Sequence, residues 1–176
     1  QDGGSVRTTL HADLQHLVQD ALDARVRKHN ADWGVVVISD VSTGRILVLA
    51  DSGSTTPNPS KPQSVMGVQA PYEPGSVGKV LTMASALEKG TTTPTTAYSV
   101  PYSISPADAG GPISDYHEHG TEMMTTTGIL TQSSNVGTIE VGEQVGDRDR
   151  YDFMTKMGLN QLTGIELAGE SPGLMR

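Results

Sequence analysis

Residues 72–79 of this 176-residue chain read Tyr-Glu-Pro-Gly-Ser-Val-Gly-Lys. The Pro-Gly pair favours a tight turn, and the apolar spacing that follows predicts a helix over Val77–Lys89. Side chains three residues apart share one face of a helix, so the amine of Lys79 can reach the hydroxyl of Ser76. A serine becomes an effective nucleophile when an adjacent base takes its proton. A lysine whose pKa is lowered by burial and neighbouring dipoles can be that base.

A second polar motif, Ser133-Ser134-Asn135, lies between two predicted helices. It offers a hydroxyl that could relay a proton between Lys79 and a leaving group, and an amide that could hold a substrate carbonyl. Both motifs also have a purely structural interpretation. Ser76 could simply cap its helix with Lys79 in solvent, and the second motif could cap a helix that begins at Val136.

The remaining sequence predicts an α+β fold. The predicted elements are a strand over Ser5–Leu10, a helix over Ala12–Lys28, a β-hairpin over Trp33–Ser39 and Arg45–Ala50, a long aperiodic loop over 51–72, irregular structure over 91–120, and helices over Met123–Gln132, Val136–Val145 and Arg148–Met157. The hairpin strands are almost wholly apolar, which predicts a sheet covered on both faces by helices. Gly44 suits the positive φ of the hairpin turn.

Composition excludes several classes of function. The formal charge is −8 and there is no basic cluster, which argues against nucleic acid or anionic lipid as a partner. The absence of cysteine excludes disulfides, thiolate zinc sites and cysteine nucleophiles. Asp115, His117 and His119 are candidate metal ligands, because a His-x-His pair in a strand puts both imidazoles on one face, but the spacing supplies no clear third ligand for that pair. We therefore expect a hydrogen-bonded loop there, and no metal or cofactor.

The two motifs and their surroundings resemble the transpeptidase domains of penicillin-binding proteins, whose three motifs are Ser-x-x-Lys, Ser-x-Asn and Lys-Thr-Gly. The stretches that carry the resemblance are Leu14-Gln15, Asp40–Ile46, Tyr72–Ser76, Ser133–Gly137, Thr163–Ile165 and Gly169-Glu170. The resemblance covers nearly the whole chain and is to class B, the monofunctional type. Asp115–Thr121 is most similar to division-type members from Gram-positive bacteria. The fold implied is that of penicillin-binding transpeptidases and serine β-lactamases, an antiparallel sheet flanked by helices.

This resemblance also implies roles for individual residues. Ser76 would be the acyl-enzyme nucleophile, with its backbone N–H as half of the oxyanion hole, and Lys79 would be its general base. Ser133 would relay the proton, and Asn135 would bind the donor peptide or the side-chain amide of a β-lactam. The implied activity is peptidoglycan D,D-transpeptidation on stem peptides, without a cofactor and inhibited by β-lactams. Division-complex membrane proteins and a glycosyltransferase are the implied partners, at the extracytoplasmic face of the membrane.

One departure from the family pattern is large, because the sequence contains no Lys-Thr-Gly. We therefore expect residues 1–176 to be the N-terminal part of a transpeptidase domain, inactive alone, with an apolar sheet edge left open. The membrane anchor is expected in a segment outside this chain. Two alternatives remain open. A serine β-lactamase would need an activated deacylating water, and a non-catalytic β-lactam sensor or division scaffold would need no turnover.

Overall fold

The structure, a computed structural model, describes residues 3–53, 65–106 and 109–175. The chain divides into two compact units. The first comprises Gln1–Pro71 with Gly164–Ser171, and the second comprises Tyr72–Thr163 with Pro172–Arg176. Helices and antiparallel strand pairs occur in a mixed α+β arrangement, as the sequence predicts. Among the described residues, no helix is both long and apolar enough to cross a membrane.

The first unit is a two-stranded sheet between helices. Its elements are α1 (Ala12–His29), β1 (Trp33–Ser39), β2 (Ile46–Gly53) and α2 (Met66–Gln69). A Cβ at Gly34 would meet Val26 of α1 at 2.9 Å. A Cβ at Gly67 of α2 would meet Val35 at 2.9 Å. Neighbouring residues of a strand point to opposite faces, so the two helices cover opposite faces of this sheet, as predicted.

The first helix is joined to β2 by side-chain amides as well as by packing. The amide of Gln15 exchanges two hydrogen bonds of 2.9 Å with the backbone of Leu49. The strand predicted over Ser5–Leu10 is wrong, because this segment forms no ladder. It makes isolated contacts instead, such as a hydrogen bond of 2.5 Å from the Thr9 hydroxyl to the carbonyl of Ile46. An extended segment counts as a strand only when a partner pairs with it in register.

The second unit carries the predicted motifs. Its elements are a 3₁₀ turn (Gly75–Gly78), α3 (Lys79–Lys89), β3 (Ala97–Val100), β4 (Ser103–Ile104), β5 (Ile113–Ser114), β6 (Glu122–Thr125), α4 (Thr126–Gln132), α5 (Asn135–Glu143) and α6 (Asp147–Lys156). β3 pairs with β6, and β4 pairs with β5, both antiparallel. The core lies between the helices and β3, and its buried residues are Met83, Ala86, Tyr98, Val100, Ile129, Val136, Val141 and Val145.

Two sequence expectations are corrected in this unit. The helix predicted from Met123 begins only at Thr126, because the preceding residues pair with β3 and place Met124 opposite Tyr98. The stretch 91–120, expected to be irregular, contains β3, β4 and β5. In the loop predicted over 51–72, the described part holds the end of β2 and the helix α2. The residues 54–64 of that prediction lie outside the described residues.

Close packing between α4 and α5 leads to a stability prediction. A Cβ at Gly137 would lie 2.7 Å from Cγ1 of Ile129, which is fully buried and has no room to move. We expect Gly137→Ala to lower the free energy of unfolding by about 1–3 kcal/mol. The control is Gly128→Ala in α4, where the nearest atom would be 3.4 Å away. It should be neutral or stabilising by up to about 1 kcal/mol. Urea unfolding compares the two, and equal stabilities would contradict the packing account.

Candidate active site

The Pro-Gly turn and the 3₁₀ turn present Ser76 at the start of α3. Gly75 has φ 58°, the left-handed conformation that the sequence predicted for it. The helix expected from Val77 starts as a 3₁₀ turn and becomes α-helical at Lys79. Ser76 is exposed and Lys79 is half-buried. The turn therefore leaves the serine hydroxyl accessible to a substrate while the lysine is partly shielded from water.

Ser133 lies between the two residues of the first motif. Its hydroxyl accepts a hydrogen bond from Nζ of Lys79 at 3.0 Å and donates one to Oγ of Ser76 at 3.0 Å. Nζ also donates to the carbonyl oxygen of Ser133. The sequence suggested a direct approach of Lys79 to Ser76, whereas the structure connects them through the hydroxyl of Ser133. Side chains 57 residues apart in sequence thus form one continuous hydrogen-bonded chain.

The environment of Lys79 shifts its protonation equilibrium toward the neutral amine. Burial lowers the pKa of the ammonium group below its ordinary value, while the negative charge of Asp115 acts in the opposite direction. The net direction is downward. A lysine must lose a proton before it can accept one from a hydroxyl, so a lowered pKa suits a general base.

Asn135 opens α5 and is held from two sides. Its side-chain Nδ2 donates to the carbonyl of Ser114 at 2.8 Å, and its backbone N–H donates to Oδ1 of Asp115 at 2.6 Å. The neighbouring Ser134 is the N-cap, and its hydroxyl accepts from the N–H of Gly137 at 2.8 Å. The capping interpretation of the motif is therefore confirmed for Ser134. It coexists with the contact of Ser133 to Lys79.

Asp115 has a structural role that the sequence reasoning missed. Its carboxylate is buried and accepts hydrogen bonds from the hydroxyl of Ser134 at 2.7 Å and from the N–H groups of Asn135 and Val136. Burial alone would raise the pKa of Asp115, but these bonds and one from His119 hold it below its ordinary value. The only sequence signal was its place in a polar loop, since nothing local links it to residues twenty positions later.

The three candidate metal ligands do not converge. Nε2 of His119 lies 3.1 Å from Oδ2 of Asp115. The ring of His117 instead stands edge-on against Tyr116 in an exposed part of the loop. Within the described ranges, no group of three histidine, aspartate or glutamate side chains could hold a metal ion. Asp115 and His119 instead form a hydrogen-bonded wall beside the second motif.

Among the described residues, the site is open to solvent at the nucleophile, because the hydroxyl-bearing residues Ser76 and Ser133 are both exposed. The resemblance puts the third motif of the family on a strand that lines this cleft. No Lys-Thr-Gly occurs in the sequence. Within the part of the chain that the structure describes, the hydrogen-bonded chain of the site is made by the start of α3 and by the junction between α4 and α5.

Comparison with known proteins identifies the family of the chain. The model of the penicillin-binding protein transpeptidase domain matches residues 34–176. The chain is 36% identical to penicillin-binding protein PbpB of Mycolicibacterium smegmatis, over 99% of this chain and 28% of that protein. It is 33% identical to a probable peptidoglycan D,D-transpeptidase PenA of Neisseria flavescens, over 100% of this chain and 44% of that protein.

A solved structure extends the likeness to the backbone. Penicillin-binding protein 3 of Mycobacterium tuberculosis, complexed with ampicillin, matches with a TM-score of 0.84 and 34% identity. The match covers 98% of this chain and 41% of that one. The chain thus spans less than half the length of these relatives. Both the matched domain and the shared backbone show that the chain belongs to the transpeptidase domain family of class B penicillin-binding proteins, similar to the mycobacterial PbpB proteins.

Proposed function

We propose that the protein is a peptidoglycan D,D-transpeptidase that forms an acyl-enzyme on Ser76. The observation that carries this proposal is the hydrogen-bonded chain from Lys79 through Ser133 to Ser76, with both hydrogen bonds to the Ser133 hydroxyl 3.0 Å long. Family membership and the PenA relative, which is named a probable D,D-transpeptidase, support the same reaction.

The first half-reaction acylates the serine. Hydroxyl hydrogens rotate freely, so the same contacts can carry a proton from Ser76 to Ser133 and from Ser133 to the neutral amine of Lys79. Oγ of Ser76 then attacks the penultimate D-Ala carbonyl, and the backbone N–H of Ser76 is one donor to the oxyanion. Collapse of this intermediate breaks the amide bond. Terminal D-Ala leaves as an amine that takes the proton back through Ser133.

The second half-reaction transfers the acyl group. An acceptor amine from another stem peptide attacks the ester carbonyl, gives up a proton along the same path, and releases the Ser76 hydroxyl. Asn135 would bind the donor peptide through its side-chain amide, because the amide nitrogen carries two hydrogens and its contact with the carbonyl of Ser114 uses only one of them. A β-lactam would enter the first half-reaction in the same way. It would remain as an ester on Ser76, because its leaving amine stays tethered.

The same proposal includes the setting of the reaction. Residues 1–176 are assigned to the N-terminal part of the transpeptidase domain, whose Lys-Thr-Gly strand would supply the second oxyanion donor. The whole protein would act at the extracytoplasmic face of the membrane, held by an anchor outside this chain. Division-complex membrane proteins and a glycosyltransferase would be its partners. The relative named a probable peptidoglycan D,D-transpeptidase supports action at the cell wall, and the charge of −8 disfavours nucleic acid as a partner.

Labelling of the complete transpeptidase domain tests the proposal. In the first experiment, the domain is incubated with a fluorescent penicillin and digested, and mass spectrometry locates the adduct. In the second, the domain is incubated with a stem pentapeptide and an acceptor amine, and the release of D-Ala is measured. We expect a long-lived adduct on the peptide that contains Ser76, and D-Ala release coupled to formation of the cross-linked product. Rapid drug turnover would indicate a β-lactamase. A stable adduct without peptide turnover would indicate a sensor.

A further inference from the structure

We propose that Asp115 is a positioning residue for acylation of Ser76. It fixes the Ser133–Asn135 segment so that the Ser133 hydroxyl lies between Lys79 and Ser76. This inference rests on the proposed function and adds to it a residue outside the three motifs.

The segment that carries Ser133 needs support from elsewhere in the fold. Ser133 has φ 55°, a left-handed conformation that residues with a Cβ rarely adopt. It is the C-cap of α4, and the next helix begins two residues later. A short link between two helices leaves little freedom. Whatever fixes the first turn of α5 therefore also fixes the direction of the Ser133 side chain.

The carboxylate of Asp115 fixes that first turn. It accepts hydrogen bonds from the hydroxyl of Ser134 and from the N–H groups of Asn135 and Val136, at 2.7, 2.6 and 3.0 Å. Free N–H groups at a helix start carry positive potential, so a buried anion is well placed there. Asp115 follows β5 directly, and Ser114 of that strand holds the Asn135 side chain. The loop therefore holds the motif by backbone and side chain together.

His119 completes the arrangement around the carboxylate. Its Nε2 lies 3.1 Å from Oδ2 of Asp115, and its Nδ1 lies 2.5 Å from the carbonyl oxygen of Gly120. Both ring nitrogens thus face oxygen acceptors, and only the doubly protonated ring can donate to both. The ring is edge-on to Tyr102, and the exposed fractions of the two side chains are 14% for His119 and 9% for Asp115.

Charges around the site give Asp115 an effect that simple scaffolding would not have. Its negative charge raises the pKa of Lys79, against the larger effect of burial. Among the described residues, the charged groups that interact electrostatically with this cluster include Glu140 of α5 and Glu122 of β6. The pKa of Glu140 is raised by burial, by Glu143 and by Asp115. Loss of the Asp115 charge should therefore lower the pKa of Lys79.

The test measures the second-order acylation rate of the complete domain by a fluorescent penicillin as a function of pH. Asp115→Asn is expected to lower the maximal rate by up to about 10²-fold, because the relay hydroxyl is displaced. The same variant should also move the acidic limb of the pH–rate profile, which reports the deprotonation of Lys79, to lower pH. His119→Gln should lower the maximal rate by a smaller factor, because it removes one of the contacts that hold the Asp115 carboxylate. The matched controls are Glu118→Gln, which removes a charge from the same loop, and His117→Gln. Both residues are exposed, and neither variant should shift the limb.

The possible outcomes test the positioning role of Asp115 and the proposed function separately. The test of Asp115 requires that Ser76 is labelled in the wild type and that thermal melting shows Asp115→Asn to be folded. If this variant is then acylated at an unchanged rate and with an unchanged acidic limb, Asp115 has no positioning role. If Asp115→Asn does not fold, His119→Gln decides, and a profile equal to that of His117→Gln overturns the inference. If the wild-type domain is not labelled at Ser76, the proposed function itself fails, and this inference fails with it.

Discussion

Replacement of Ser76 by alanine is expected to remove all covalent labelling of the complete domain by a fluorescent penicillin. The hydroxyl of Ser76 is exposed at the end of the hydrogen-bonded chain from Lys79, and it receives a hydrogen bond from Ser133 at 3.0 Å. Ser133 is already engaged by Lys79 and cannot take its place without moving. The effect is a loss of the covalent step itself. It should appear as an absent adduct at any penicillin concentration.

A matched serine provides the control for this experiment. Ser99 is an exposed residue of β3, and Ser99→Ala should be labelled like the wild type. Intact mass spectrometry distinguishes an ester adduct from tight non-covalent binding, which Ser76→Ala could retain. An adduct of unchanged mass and yield on Ser76→Ala would show that another residue is the nucleophile. The proposed mechanism would then be wrong at its first step.

The sequence predicted the elements whose cause is local. The left-handed Gly75 after Pro74 and the left-handed Gly44 of the hairpin both follow from residue type, and both have positive φ in the structure. The strand predicted over Trp33–Ser39 has those bounds in the structure. Each of these features is decided by a few consecutive residues, through backbone sterics or through an apolar run.

Elements whose conformation depends on partners far away in the sequence could not be predicted in this way. β6 looked helical because Met123 and Met124 continue the apolar spacing of α4, yet the pairing of Met124 with Tyr98 decides their conformation. The same holds in the site. The two motifs were visible as short patterns, but Asp115 and His119 gain their role only when the loop folds onto the start of α5. A local pattern carries no information about such partners.

Lys79 and Ser133 are expected to contribute to acylation through one shared proton path. Lys79→Met keeps an unbranched side chain of nearly the same length and removes the base, so acylation should slow by about 10²–10⁴-fold. The pH–rate profile of this variant should also lose the acidic limb, which reports the deprotonation of Lys79. Ser133→Ala removes the hydroxyl between the amine and Ser76. A water molecule can partly replace that hydroxyl, so a smaller loss of about 10²-fold is expected.

The double variant distinguishes one proton path from two independent contributions. If Ser133 acts only by connecting Lys79 to Ser76, the hydroxyl has nothing to relay once the amine is gone. The double variant should then acylate about as slowly as Lys79→Met alone. Lys89→Met is the control, because Lys89 ends the same helix and forms an ion pair with Asp149 away from the motifs. If the two losses multiply in the double variant, Ser133 acts on the substrate independently of Lys79, and the relay is wrong.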